Sequence, residues 1–185
     1  MTSRSKVYLS LGSNLGPRLA NLRTVAAALH EVDGLDVDTV SPVYESEAHT
    51  RRSNETMPDF LNIVARVETT HSPRELLDLC LRIEAEKGRI REEGTWLPRS
   101  IDIDILVFAD QVIDSELLKV PHPRMAERRF VLLPFADIDP NAWVPEPFSS
   151  TIAELLRDCP DRLSIRRRYP AHAVFGGEEV SNATR

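Results

Sequence analysis

The chain has 185 residues, the length of one ordinary domain and enough to bury a hydrophobic core. Its formal net charge of −6 and sequence pI of about 5.4 argue against general nucleic-acid binding, because such binding depends on Lys and Arg that neutralise phosphates. The two cysteines, Cys80 and Cys159, form no CxxC pair, so no zinc site is expected. The first apolar run, 7–11, is too short for a signal peptide or membrane span, which predicts a cytoplasmic protein without membrane contact.

The first third of the chain alternates predicted strands and helices. The β-rich run at 7–11 leads into the turn sequence GSNLG, and apolar residues then recur at helical spacing over 19–32. Gly34 ends this predicted helix. Apolar and polar residues alternate over 35–44, which predicts a strand, whereas the polar segment 45–58 has no periodic pattern of apolar residues. A loop of that length in a compact domain is often functional.

The second predicted strand–helix unit begins at residue 60. Residues 60–69 alternate, and SPRE at 72–75 offers a helix N-cap, a proline at the first helical position and a glutamate at the third. The helix is expected to continue to about residue 87. A polar loop over 89–98 then leads to a strongly alternating strand over 101–108, with a short hairpin partner near 112–113.

This order, β-α-β-β-α-β, predicts an α+β ferredoxin-like fold, with an antiparallel sheet and helices on one of its faces. Helical patterns over 130–136 and 151–158 predict additional C-terminal helices. We predict a single domain over 1–160. The extension over 161–185 has no clear period, so much of it is expected to be loosely ordered.

Two acidic residues, Asp102 and Asp104, are set into the strand sequence RSIDIDILVF. Residues two apart on a strand face the same way, so the isoleucines between and around them would point into the core and both carboxylates away from it. A solvated strand face is the alternative interpretation. Asp is depleted in strands, however, and neighbouring carboxylates repel unless a cation lies between them. Since Mg²⁺ is commonly held by one or two carboxylates and substrate phosphates, the pair predicts metal-assisted ATP chemistry.

A basic loop comes directly before this strand, with Arg89, Arg91 and Arg99 around Trp96. Guanidinium groups suit bidentate phosphate contacts, so the loop fits a triphosphate site beside the metal, with a solvated loop as the alternative. Three further candidates for phosphate contacts follow in the chain: Arg128, Arg129 and, within the tight PHP segment, His122.

Two aromatic residues, Phe60 and Phe130, are candidates for stacking on a flat heterocycle, although simple core packing is the alternative. Phe60 lies two residues before Asn62, and therefore on the same face of the predicted strand. An Asn side chain offers both a donor and an acceptor to the edge of such a ring. The same arrangement could bind a nucleobase.

The chain lacks the phosphate-binding loop GxxxxGK[ST] and the protein-kinase signature set, so ATP would have to be held by side chains. Two alternative interpretations of these residues stay open at this point. One is a nucleic-acid-binding module of ferredoxin-like class, against which the acidic pI and the lack of an RNP-like run argue. The other is a kinase that transfers only the γ-phosphoryl group.

Taken together, five segments resemble the 6-hydroxymethyl-7,8-dihydropterin pyrophosphokinase family of folate synthesis. They occur in the family's order and span nearly all of residues 6–160. The segments are YLSLGSNLG (8–16), PDFLN (58–62), RIEAEKGRIR (82–91), WLPRSIDIDIL (96–106) and VPHPRMAERRFVL (120–132). The resemblance implies the transfer of diphosphate from ATP to 6-hydroxymethyl-7,8-dihydropterin, giving the pterin diphosphate and AMP.

The resemblance also implies roles for individual residues. The metal ligands would be Asp102 and Asp104, which bridge two Mg²⁺ ions, and the catalytic arginines would be Arg89 and Arg99. The implied ATP contacts are Glu84, Arg91, Trp96, Ile105, His122 and Arg128. The implied pterin contacts are Ser46, Glu47, Ala48, Phe60, Asn62 and Phe130. The loops 45–58 and 89–98 would close over the substrates and exclude water.

The chain departs from the family pattern at two places. Leu97 stands where the family usually has Gly before the Pro of WGPR, which would alter loop closure. Ser46, Glu47 and Ala48 stand in the family's Y-x-T-x-P run, so backbone contacts to the pterin could survive while the loop changes shape. We expect small molecules as the only partners, no nucleic acid, and a monomer or weak dimer.

Overall fold

A six-stranded antiparallel sheet forms the centre of the computed structural model, which describes residues 4–48, 57–86 and 100–175. The strands in chain order are β1 (Ser5–Ser13), β2 (Leu35–Val40), β3 (Val43–Ser46), β4 (Phe60–Thr69), β5 (Asp102–Phe108), β6 (Ile113–Asp114), β7 (Lys119–Val120), β8 (Trp143–Val144), β9 (Ser150–Thr151) and β10 (Ile165–Tyr169). The sheet follows the path β10-β3-β4-β1-β5, and β2 also pairs with β4. The β6-β7 and β8-β9 pairs are separate hairpins.

The central strand β1 pairs with β4 on one side and with β5 on the other. Its register places Gly12 opposite both Asn62 and Asp102, and Ser10 opposite Asp104. Because facing residues of antiparallel strands point to the same side of the sheet, these side chains share one face. The antiparallel pairing therefore brings residues far apart in sequence together.

Helices cover both faces of this sheet. They are α1 (Arg18–His30), α2 (Pro73–Glu86), α3 (Arg129–Ile138), α4 (Ile152–Asp158) and α5 (His172–Phe175). One core cluster joins the buried sides of α1 and α2 to Val7, Leu9 and Leu11 of β1, and a second joins α3 and α4 to Tyr8. The antiparallel sheet with packed helices agrees with the sequence prediction. The prediction of helices on one face holds for α1 and α2, whereas α3 and α4 lie on the other.

Two helices begin with the hydrogen-bonding pattern called a capping box. At α2, the Ser72 hydroxyl accepts from the Glu75 N–H at 3.3 Å, and the Glu75 carboxylate accepts from the Ser72 N–H at 2.8 Å. Thr151 and Glu154 make the same exchange at α4. Such caps satisfy backbone donors that have no partner inside the helix. The start of α2 predicted from SPRE is therefore confirmed.

The predicted strand over 35–44 is broken in two at Ser41 and Pro42. Proline has no N–H to give to a sheet, which favours a break at this position. Ser41 keeps contact with β4, because its N–H donates to the Val64 carbonyl at 2.9 Å and its hydroxyl accepts from the Val64 N–H at 3.0 Å. The break turns β3 toward the end of β4 that carries Phe60.

The region after β5 differs from the sequence prediction in two ways. Ile113 belongs to a hairpin between β6 and β7, and does not pair with β5. Residues 165–169, expected to be loosely ordered, form β10 at the edge of the main sheet. The three successive arginines in β10 hide any apolar alternation, so no strand could be predicted there from the sequence. The division at residue 160 into a domain and an extension stays a prediction.

Both cysteines are buried and have free thiols, and burial raises the pKa of the Cys80 thiol to about 12. Buried free cysteines of this kind pack as small apolar residues. None of the helices described is both long and apolar enough to cross a bilayer.

Candidate active site

One cavity of about 240 Å³ collects side chains from four strands of the sheet and from the segment 124–130. Eight residues predicted from the sequence line it: Ser46, Glu47, Phe60, Asn62, Asp102, Asp104, Arg128 and Phe130. We call this space the sheet cavity. Its aromatic and amide groups suit a flat heterocycle, and its acidic and basic groups suit phosphate and metal.

A second cavity of about 480 Å³ lies next to it, and Asp104 lines both. We call it the hairpin cavity, because residues 116–119 of the β6-β7 hairpin form one wall. Leu77 and Leu81 of α2 and Ile105 of β5 contribute apolar groups, and His122 lies at its rim with Asp104. The arrangement offers an apolar surface for a base beside polar groups for phosphates. Ile105 and His122, both predicted ATP contacts, are therefore brought together here.

The acidic pair on β5 is placed as the alternation predicts. Asp102 and Asp104 are half-buried on the cavity side, whereas Ile103 between them is buried in the core on the other face. Within the described ranges no group of three or more His, Cys, Asp or Glu residues could hold a metal ion. Two carboxylates that open into a cavity still fit Mg²⁺, which usually takes few protein ligands and completes its shell with phosphate oxygens and water.

Two nitrogen-bearing groups approach Asp104. The Arg128 Nη1 lies 3.5 Å from the Asp104 Oδ2, and the His122 Nε2 lies 3.9 Å from the same oxygen. The Arg128 guanidinium also lies over the Phe130 ring, at 5.8 Å from its centroid. Arg128 therefore links the acidic end of the sheet cavity to its aromatic end.

His122 is held in one protonation state. Burial, together with the positive charge of Arg128, lowers the pKa of His122 to about 4, so the imidazole is neutral at pH 7. Its Nδ1 accepts the Arg124 backbone N–H at 3.1 Å, and we infer that the ring proton is on Nε2, the atom nearest Asp104. His122 thus offers a hydrogen-bond donor, without a full charge, where the two cavities meet.

At the opposite end of the sheet cavity, Asn62 is fixed by its neighbours. Its side chain is only 2% exposed, and its Nδ2 donates to the Ser46 hydroxyl at 2.8 Å. A Cβ atom on Gly12 would lie 3.3 Å from the Asn62 Oδ1 and 3.6 Å from the Phe60 ring. Glycine at position 12 therefore leaves room for the amide and the aromatic ring to sit against β1.

The predicted segment 46–48 is only partly in the cavity wall. Ser46 and Glu47 line the cavity, and Glu47 is tied to Ser164 by two hydrogen bonds, one from its N–H at 3.1 Å and one to its carboxylate at 3.3 Å. Ala48 is half-buried and does not line either cavity. Backbone pairing with neighbouring strands and Ser164 thus keeps Ser46 and Glu47 in place, although the sequence of this segment departs from the family pattern.

Glu84 lies apart from both cavity linings. It is 1% exposed on α2, and its carboxylate accepts the Ile103 N–H of β5 at 2.8 Å. Glu84 thereby fixes α2 against the strand that carries the acidic pair. Its predicted contact with ATP stays a prediction.

Replacing Glu84 by Ala is expected to lower the free energy of unfolding by about 1–3 kcal/mol, because the Ile103 N–H would be buried without its partner. Chemical denaturation of the variant and the parent measures this loss, and a titration with ATP measures the nucleotide affinity. Unchanged stability would contradict the role in fixing α2. A loss of ATP affinity in Glu84→Gln, which keeps an acceptor oxygen for the Ile103 N–H, would support direct contact between Glu84 and ATP.

Several predicted residues lie outside the described residues. These are the two predicted catalytic arginines, Arg89 and Arg99, together with Arg91, Trp96 and the unusual Leu97. Their roles stay predictions.

Four residues of the sheet cavity were missed by sequence reasoning: Ser10, Gly12, Met57 and Arg124. Strand alternation could have found the first two, since Ser10 and Gly12 sit opposite Asp104 and Asp102 in β1. Arg124 lies two residues after His122 in the PHPR sequence and could have been found as a second basic group of that segment. Met57 carries no signal of its own.

Comparisons with known proteins point to one family. A sequence model of the family described as 7,8-dihydro-6-hydroxymethylpterin-pyrophosphokinase (HPPK) matches residues 8–140. The 2-amino-4-hydroxy-6-hydroxymethyldihydropteridine pyrophosphokinase of Bacillus subtilis is 45% identical over 131 residues, 71% of this chain and 76% of that protein. The protein of the same name from Aquifex aeolicus is 42% identical over 139 residues, 75% of this chain and 83% of its own length.

Longer proteins also contain a matching part. The folic acid synthesis protein fol1 of Schizosaccharomyces pombe is 41% identical over 146 residues, which are 78% of this chain but only 19% of that protein. A solved structure of HPPK-DHPS in complex with substrates superposes with a TM-score of 0.67 at 16% identity, over 84% of this chain and 43% of the other. At that identity the superposition shows the fold alone. The chain therefore spans less than half of these longer proteins.

Proposed function

The chain belongs to the 7,8-dihydro-6-hydroxymethylpterin-pyrophosphokinase family, and we propose that its two cavities carry out the reaction that this family's name describes. The reaction is the ATP-dependent transfer of a diphosphoryl group to 6-hydroxymethyl-7,8-dihydropterin, with the pterin diphosphate and AMP as products. The observation that carries the assignment is Asp104, which lines both cavities at the point where a phosphate chain could pass between them.

The sheet cavity is assigned to the pterin. Phe60 and Phe130 line it and offer ring faces to a flat heterocycle, and such stacking contributes about 1–3 kcal/mol per base in comparable sites. The Asn62 amide, fixed by Ser46, offers hydrogen bonds to the edge of the pterin. Ser46 and Glu47 add backbone and side-chain polar groups, and Ala48 stays a predicted contact from the sequence.

The hairpin cavity is assigned to the nucleotide of ATP. Ile105 supplies apolar surface for the base, and the neutral His122 can donate its Nε2 proton to a phosphate oxygen. On the pterin side of Asp104, Arg128 supplies a positive charge, and both Arg128 and Arg124 line the sheet cavity. We assign both arginines to the transferred phosphates, with Arg91 and Trp96 as further predicted ATP contacts.

Asp102 and Asp104 would hold the Mg²⁺ that the reaction needs, and two ions are expected. Bound there, Mg²⁺ would neutralise charge on the phosphate oxygens. Arg128 lies 3.5 Å from Asp104, so positive charge is already present where negative charge would develop. Phosphoryl transfer with a loose transition state depends mainly on such positioning and charge, and it needs little help from a general base. The predicted catalytic pair, Arg89 and Arg99, would add to this stabilisation.

We also propose the ferredoxin-like arrangement for the core, which is supported by the element order and by the path from β3 through β4 and β1 to β5. We further propose that the protein acts in the cytoplasm as a monomer or weak dimer, with small molecules rather than nucleic acid as its partners. The acidic composition supports the last point.

Product analysis tests the reaction directly. The protein is mixed with ATP, Mg²⁺ and 6-hydroxymethyl-7,8-dihydropterin, and we expect AMP and the pterin diphosphate in equal amounts, with none formed in excess EDTA. ADP in place of AMP would mean γ-phosphoryl transfer and would contradict the proposal. Product formation that persists in EDTA would contradict the metal assignment alone.

A further inference from the structure

A buried ionic cluster lies beneath the wall of the sheet cavity. Glu45 of β3 is 8% exposed and sits opposite Leu61, a residue of the core cluster shared with α1 and α2. Its neighbour Ser46 points the other way, into the cavity, because successive strand residues alternate between faces. Glu45 therefore lies behind the wall that Ser46 forms.

Arg18 joins Glu45 to the other strand of this wall. At the start of α1, its Nη2 lies 2.9 Å from the Glu45 Oε1, while its Nη1 donates to the Asp59 carbonyl at 2.6 Å. Asp59 directly precedes Phe60, which lines the cavity. The Arg18 guanidinium thus connects the backbone next to Phe60 with the Glu45 carboxylate, which lies on the opposite face of the sheet from Ser46.

Arg166 joins Glu45 to the C-terminal strand. Its Nε and Nη2 donate to the Glu45 Oε2 at 3.0 and 2.6 Å, a two-pronged contact between facing residues of β10 and β3. These hydrogen bonds are the main cause that lowers the pKa of Glu45, so the carboxylate stays charged. Just before β10, the Ser164 carbonyl accepts from the Glu47 N–H, and the Ser164 N–H donates to the Glu47 carboxylate.

We propose that Glu45 and Arg166 are positioning residues for the pterin, and that β10 is part of the pterin site although none of its residues lines the cavity. The ionic cluster fixes the backbones of Ser46 and Phe60 relative to each other from the face of the sheet opposite the cavity. Ser164, next to β10 at the edge of the sheet, fixes Glu47 through its two hydrogen bonds. The inference rests on the assignment of the sheet cavity to the pterin. It is specific to this wall, since Ser46, Glu47 and Phe60, whose backbones the contacts hold, line the sheet cavity and not the hairpin cavity.

A charged carboxylate that is almost fully buried needs partners, and Arg18 and Arg166 supply them. Without Arg166, Glu45 keeps Arg18 and the more distant Arg168, whose Nε lies 3.9 Å from the Glu45 Oε2, but it loses two charge-assisted hydrogen bonds. The strands β3 and β10 are then held less firmly together. A wall that is free to shift would bind a rigid flat ligand less tightly.

Arg166→Gln tests the inference, because the Arg166 side chain is 66% exposed and its replacement is compatible with folding. Affinity for 6-hydroxymethyl-7,8-dihydropterin is measured by calorimetry with a non-hydrolysable ATP analogue and Mg²⁺ present, and affinity for the analogue is measured alone. We expect the pterin affinity to fall by about tenfold, in line with the loss of hydrogen bonds to a charged group, and the analogue affinity to change by less than about twofold. Arg166→Lys keeps the charge but not the two-pronged geometry, so we expect a loss of affinity between those of the parent and Arg166→Gln.

Arg157→Gln is the matched control, since it removes the same charge and a similar two-pronged contact, with Asp158, from an exposed part of α4 that lines neither cavity. Unchanged pterin affinity in both Gln variants would overturn the inference. Equal losses for pterin and analogue, with a lower Tm, would also overturn it by showing a general structural role. If the parent protein binds the analogue but not the pterin, the assignment of the sheet cavity to the pterin is wrong. This outcome is seen in the parent itself and is therefore distinct from the two outcomes in the variants.

Discussion

Asp104→Asn is expected to leave the fold intact and to lower the rate of diphosphoryl transfer at least a hundredfold. The substitution keeps the size of the side chain but removes the charge that would hold Mg²⁺ at the junction of the two cavities. Since metal stabilisation of a phosphoryl transition state is worth several kcal/mol, and each 1.4 kcal/mol is about tenfold in rate, a loss of this size is the minimum expected. Steady-state assays of AMP formation at saturating Mg²⁺ measure it.

Asp110→Asn serves as the control for Asp104→Asn. Asp110 is exposed in the turn after β5 and lines neither cavity. Its replacement by Asn therefore removes the same charge from the protein without changing the site. Circular dichroism and thermal melting of both variants should match the parent. A normal rate for Asp104→Asn would contradict the metal assignment.

Phe130→Ala is expected to weaken pterin binding about tenfold or more while affecting ATP much less. The aromatic ring lines the sheet cavity and packs beneath Arg128, so its removal takes away a stacking surface worth about 1–3 kcal/mol and frees the guanidinium. Separate titrations with the pterin and with a non-hydrolysable ATP analogue give the two affinities.

Phe148→Ala controls for simple loss of packing. Phe148, like Phe130, is a partly buried aromatic residue packed on the core cluster of α3 and α4, but it does not line the sheet cavity. We expect Phe148→Ala to lower stability and to leave the pterin affinity unchanged. Equal losses of pterin and ATP affinity in Phe130→Ala would instead indicate that Phe130 is a core residue only.

The parts of the fold that follow from local chemistry could be predicted from the sequence. β4 was predicted over its full length, 60–69, because its apolar residues alternate without interruption. The start of α2 was predicted because Ser72 and Glu75 form a capping box within four residues of each other. Likewise, the shared face of Asp102 and Asp104 follows from strand alternation alone.

What could not be predicted depends on contacts between distant segments. The strand β10 carries three arginines and is defined by its pairing with β3, more than a hundred residues earlier. Glu45 has an ordinary acidic sequence context, and only the fold shows it buried between Arg18 and Arg166. Glu84 was assigned to ATP by resemblance, whereas the structure shows its carboxylate on a backbone N–H of β5.

Placement of β10 beside β3 also bears on the solubility of the chain. Were β10 absent, β3 would become the outermost strand at that side of the sheet, and its outward-facing backbone donors and acceptors would be open to pairing with other molecules. β10 takes over that position with alternating charged side chains, Arg166 and Arg168 on one face and Arg167 on the other. Positive charge along an outermost strand discourages edge-to-edge association, so the arginines that hide the strand in the sequence also protect the sheet from aggregation.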